Sequence, residues 1–214
     1  MITRDRRTLP LRMAYQCAPL LAGMKESNLL IIESRLLIYV RDLLENTRIE
    51  MTCLYHNKEK VTLLLYERTK LKEHLDKREE RLFLEERGYQ DLRMEAMLCK
   101  LAERLADYWA GRAQFPHELG IFLAYPVHDV QGFIDHEGRN YLCSGYWKVY
   151  KNVKEAEMIF ELYEQARILV TSHVRNGGGL DRFLSPDTET GQKKGDIYYE
   201  YSNYRRTRPY GLSV

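Results

Sequence analysis

Cysteine is scarce and scattered. Cys17, Cys53, Cys99 and Cys143 stand far apart and form no CxxC pair. That pattern offers no metal-ligand spacing and fits reduced thiols in a cytosol better than a disulfide framework. Long apolar runs are missing too, and none approaches the roughly eighteen residues of a membrane span. Neither sign of charge dominates. With 33 basic residues against 31 acidic, the net charge of +2 is too small to mark a general polyanion binder. The opening, MITRDRRTLPLRMAYQ, is positively charged without an apolar stretch behind it, so no secretory signal is expected. The chain spells no complete catalytic motif and no long-period repeat. The expectation is a cytoplasmic protein with no membrane partner.

What is present is enough for one folded domain. At 214 residues and 44% hydrophobic content, a compact fold of this size buries about 70% of the surface its unfolded chain exposes. Residues 1–12 are basic and aperiodic and read as a mobile arm. Pro19 suits the first turn of a helix, which places Cys17 at or just before a helix N-terminus, where a thiolate is stabilised. The run 28–33 fits a strand or part of a helix, and 36–45 has helical spacing. Segments 48–55 and 60–67, joined by His56-Asn57-Lys58-Glu59, predict an antiparallel hairpin whose second strand is covered on both faces. A charged helix over 69–87, with Leu71, Leu75 and Leu82 on one side, ends at Gly88. A second helix spans about 91–109. Segments 118–123 and 126–135 predict two short helices, 140–150 a strand broken at Ser144-Gly145, and 151–171 an amphipathic helix. The whole reads as α+β: a small, mostly antiparallel sheet covered by several helices. The domain is expected over 13–176, with a flexible tail over 177–214 after the Gly177-Gly178-Gly179 triplet.

The stretch from Phe115 to Tyr150 concentrates chemistry. It carries His117, His128 and His136, one cysteine and a dense set of aromatics. Segment 118–134 imitates a helix-turn-helix. Its second helix, however, offers Val127, His128, Asp129 and Gln131, with no Arg or Lys for phosphate or guanine. Nucleic acid is therefore not expected as a partner of the domain. The tail, where Tyr198, Tyr199, Tyr201, Tyr204 and Tyr210 gather around Arg205, Arg206 and Arg208, remains open to it.

Two blocks resemble a known family. Cys17-Ala18-Pro19 with Leu21-Ala22-Gly23 and Lys25 form the first. The second runs from Phe115-Pro116-His117-Glu118 through Tyr125-Pro126 and Gly132-Phe133 to Gly145-Tyr146-Trp147-Lys148-Val149-Tyr150. Both resemble domain of unknown function 3793, over about residues 13–170. The resemblance implies a cytosolic bacterial protein and brings no activity with it. Gln16 stands where the family commonly has His, and Ala124 where it commonly has Gly.

The blocks supply the candidate site. A thiol mechanism would use Cys17 as nucleophile, His117 as base and Glu118 to orient it. A binding site would stack a planar ligand on Tyr146, Trp147 and Tyr150, with Lys25 or Lys148 meeting an anionic group. Cys143 could join Cys17 and His117 around a metal, but no spacing supports that, and no metal site is assigned. No particular cofactor or oligomeric state is indicated. Ordinary packing accounts for the same residues if the aromatics fill a core and the cysteines are inert. The favoured reading is a small-ligand or cofactor-binding module, with a redox link through Cys17 left open. The alternatives are a thiol-dependent enzyme and an interaction or DNA-binding module using segment 118–134.

Overall fold

Leu9, Met13, Ala14, Cys17, Ala18, Leu20 and Leu21 recur at spacings of three and four, so a helix gathers them on one face. In the computed structural model, which describes residues 2–90 and 93–185 with side chains from Thr8 onward, that helix is α1 (Ile2–Leu21). All seven side chains are buried. This corrects two expectations. Residues 2–12 are not an arm but the first half of α1, anchored by Leu9. Pro10 and Pro19 both lie inside the helix. Each removes one backbone bond, and the burial on either side of them holds the helix together. Cys17 therefore sits near the C-terminal end of a helix, where the dipole opposes a thiolate.

Three strands follow the predicted pattern. β1 (Ser27–Glu33), β2 (Glu50–His56) and β3 (Lys60–Tyr66) form an antiparallel sheet in the order β1-β3-β2. Register runs from Ser27 opposite Tyr66 to Glu33 opposite Lys60, and β2 slips between Cys53 and Tyr55. Central β3 is covered on both faces: Val61, Leu63, Leu64 and Leu65 are inaccessible to solvent. Successive side chains alternate faces, so they divide the interior into two clusters. Val61, Leu63 and Leu65 join Leu30, Ile32 and the α1 stripe. Leu64, Tyr66 and Leu54 face the other way.

The first cluster is closed by α2 (Leu37–Leu44), which follows a 3-10 turn, and by α8 (Val153–Arg175) and α9 (Asp181–Leu184). The second is closed by α3 (Arg68–Leu75), α4 (Arg78–Glu85), α5 (Met94–Trp109), α6 (Leu119–Phe122) and α7 (Val127–Asp135). The single helix predicted over 69–87 is two. The chain turns at Asp76-Lys77, so that Leu71 and Leu75 meet the same cluster as Phe83 and Leu84, while Leu82 is left exposed. The strand predicted over 140–150 is instead a tight hairpin of β4 (Cys143–Ser144) and β5 (Lys148–Val149), its turn closed by Gly145 N–H donating to the Trp147 carbonyl at 3.0 Å.

The free edge of β1 is covered by side chains of α1. The Gln16 amide donates to the Ile31 carbonyl at 3.1 Å and accepts from the Ile31 N–H at 2.9 Å, as a neighbouring strand would. The Cys17 thiol donates to the Leu29 carbonyl at 3.6 Å.

Packing continues past the predicted boundary at Gly177. Leu180, Phe183 and Leu184 belong to the first cluster. Arg48, itself buried and paired with Glu67 at 2.9 Å, donates to the carbonyls of Leu20, Leu21 and Phe183. Gly177 has φ of +89° and ends α8, but the triple glycine is a turn inside the fold. The Tyr/Arg-rich segment 198–214 lies outside the described residues.

Candidate functional site

The second motif block folds into a helical turn, a helix and a hairpin, and a cavity lies among them. α6 ends in a Schellman arrangement: Tyr125 N–H donates to the Gly120 carbonyl and Ala124 N–H to the Ile121 carbonyl, both at 2.9 Å. Ala124 takes φ of +55° to allow it. Pro126 then starts α7. The hairpin folds back over α7 because of Asp129, a residue the sequence offered only as a poor DNA-reading position. Its buried carboxylate accepts from the Trp147 indole at 2.7 Å and from the backbone N–H groups of Tyr150 and Lys151 at 2.7 and 3.2 Å. Close approach also demands glycine. A Cβ at Gly132 would run into Tyr150, and one at Gly145 into Phe160.

The cavity so enclosed measures about 400 Å³ and its lining is mainly apolar. Phe115, His117, Tyr125, Phe133, Trp147 and Lys148 are among its walls. His117 stands between Phe115 and Phe133, its ring centroid 5.4 and 5.3 Å from theirs. Neither ring nitrogen makes a hydrogen bond to the described residues. Burial lowers the His117 pKa, with the Glu118 charge opposing it, so the ring is neutral at pH 7. Lys148 reaches the rim, where its ammonium donates to the Gly138 carbonyl at 2.7 Å and lies over the Tyr141 ring.

Of the residues singled out in the sequence, His117, Trp147 and Lys148 meet at this cavity and the others do not. Glu118 points into the core, where it accepts from the Tyr89 hydroxyl at 3.1 Å and pairs with Arg104 at 3.0 Å, so it does not orient His117. Tyr146 packs edge-on against Tyr163, and Tyr150 stacks on His136. Cys17 lies in the cluster on the opposite face of the sheet. Burial pushes its thiol up to about 12, which Lys25 only partly counters. The geometry therefore does not form a Cys17–His117 pair. Among the described residues no group of three or more His, Cys, Asp or Glu side chains is placed to hold a metal ion. The helix-turn-helix imitation has a first helix of a single turn, its four residues all buried.

The two motif blocks do meet, through Lys25. Its ammonium sits 4.9 Å from the centre of the Tyr125 ring and 5.8 Å from that of Tyr163. Ser27, two residues on, donates its hydroxyl to the Phe122 carbonyl. Tyr125 also forms part of a second cavity of about 370 Å³, shared with Met24, Glu26, His74 and Tyr163. Asp129 and Tyr125 were named in the sequence reading without a part in the site, and Tyr163 was not named at all.

No helix among the described residues is long and apolar enough to cross a membrane. A family model described as a protein of unknown function, DUF3793, matches residues 13–184, and the chain belongs to that family. The match ends on the last residue of α9, so it includes the segment after the triple glycine. No curated protein and no solved structure matches the chain.

Proposed function

From membership in that family and the geometry of the second motif block, we propose that the protein binds a small, planar, largely apolar molecule in the cavity between α6, α7 and the β4–β5 hairpin. The observation that carries this is a mostly apolar space of about 400 Å³ holding one neutral imidazole without a hydrogen-bond partner among the described residues. Small-molecule sites have this size and this combination of apolar wall with few polar anchors. Aromatic edges and faces from Phe115, Phe133 and Trp147 suit a ring. His117 supplies a single donor or acceptor for its polar group, and Lys148 at the rim favours a negative substituent. Asp129 is already engaged by three N–H groups and serves to hold the wall. The free, separated cysteines support a reducing compartment, and we place the protein in a bacterial cytoplasm.

Trp147 provides the test. The chain has two tryptophans, and of these Trp147 lines the cavity. Indole, naphthol and naphthoate fragments titrated into labelled protein should shift the Trp147 indole resonance and leave that of Trp109 in place. Replacing His117 with Leu should weaken the polar fragments by about tenfold, the value of one hydrogen bond of about 1.4 kcal/mol, and spare unsubstituted naphthalene. Fragment shifts that map away from Trp147, or no shifts at millimolar concentration, would sink the proposal.

A further inference from the structure

Lys25 is the group this binding site leaves unused. It follows α1 on the turn into β1 and is 3% exposed. No carboxylate pairs with it and no acceptor takes its protons among the described residues. Its contacts are the faces of Tyr125 and Tyr163. Burying an ammonium without a partner is expensive, and a fold that only needed to fill this space would do better with an apolar side chain. The second cavity lies next to this segment, though Lys25 is not itself in its wall. Both rings over Lys25 line that cavity, as do its chain neighbours Met24 and Glu26.

We propose that Lys25 is a reactive amine, and that the second cavity admits a small aldehyde or ketone that condenses with it. The aromatic enclosure withholds water from the ammonium and so favours the neutral, nucleophilic amine. The lone pair of that amine forms a bond to the carbonyl carbon. The two amine hydrogens leave with the carbonyl oxygen as water, and an imine remains, so no oxidant or further reactant is needed. Glu26 lines the cavity and its charge acts on Lys25, which places an acid–base group beside the step. Burial lowers the Lys25 pKa to about 8, while Glu26 on its own segment and Cys17 on α1 pull it upward. Tyr125 and Tyr163, which face it from the other side, are themselves held neutral by burial. The substrate class is a compact carbonyl compound with an apolar or aromatic body, matching the two tyrosine faces.

The experiment is reductive trapping on the folded, full-length chain. Protein is incubated with propanal or benzaldehyde and cyanoborohydride, and the modified lysines are located by peptide mass spectrometry. At pH 7, Lys25 should be modified at least about tenfold faster than the exposed Lys58 and Lys60, as expected of an amine whose neutral fraction is raised. Its rate should reach half its maximum near pH 8. Labelling of Lys58 and Lys60 with Lys25 spared, or at a rate equal to theirs, overturns the proposal. The Lys25→Arg variant keeps the charge and the length and cannot form the imine. It should lose the fast adduct while fragment binding at Trp147 persists, so this proposal and that of the first cavity fail separately. A fast adduct that survives in Lys25→Arg also overturns the assignment.

Discussion

Two residues carry costs that an optimised fold would not. Ala124 holds φ of +55° at the end of α6, a conformation that disfavours any Cβ. Ala124→Gly should therefore raise stability by about 1 kcal/mol, read as a higher urea midpoint at unchanged slope. An unchanged or lower midpoint would mean that packing around the methyl outweighs the backbone. Lys25 is the other. Unfolded, its amine titrates near its ordinary 10.5; folded, near 8. Below pH 8 it is charged in both states and the whole cost of burial is present. Above 10.5 it is neutral in both and that cost has gone. The contribution of Lys25 to stability should thus rise as the pH climbs from 8 to 10.5, by about 3 kcal/mol, while the raised Cys17 thiol works the other way above pH 9. Lys25→Met should be more stable than the parent at pH 7 by a similar amount, with the gap closing near pH 10.5. Urea melts at both values check it, and a gap independent of pH would refute the assignment.

Among the elements, the β2–β3 hairpin was legible because two β-rich runs flank a short polar linker, a pattern with one simple solution. β4 and β5 were not. Their pairing is set by Asp129, fourteen residues before β4 begins, and no local periodicity records a carboxylate that reaches across to another element. The same is true of α1. Its helical stripe is plain once Leu9 and Met13 are counted, yet two prolines and a basic start disguised it. Nor could the sequence show that Gln16 covers the edge of β1 with its amide. Half of the candidate site was visible for a related reason. Trp147, Lys148 and His117 announced themselves as chemical types, while Cys17 did so wrongly because its place in the helix was misread. If Asp129 holds the hairpin, Asp129→Asn must leave one of three N–H donors without a good acceptor. That change should cost about 2–4 kcal/mol and move the Trp147 indole resonance. A wild-type melt with an unmoved indole signal would show that the apolar contacts of the hairpin suffice alone.

At the scale of the whole molecule, the sheet divides the interior, and the two sides are closed by different parts of the chain. The side facing the cavity is built from a continuous stretch, α3 to α7. The other is closed by the two ends of the described chain, α1 against α8, with α9 laid over them. Arg48 joins these ends, since its guanidinium binds carbonyls of α1 and α9 together and its charge is matched by Glu67. Removing α9 would strip Leu180, Phe183 and Leu184 from the cluster. Each buried side chain of this kind is worth roughly 1.5–3 kcal/mol, so the three together rival the roughly 5–15 kcal/mol that holds a typical domain. Arg48 would also lose an acceptor and gain a path to water, weakening its hold on the end of α1. A chain ending at Asn176 should therefore fail to melt cooperatively, and one ending at Ser185 should show a single sharp transition. Calorimetry on the two decides it. Cooperative melting of the shorter chain would mean that the α1–α8 contact closes the cluster without α9.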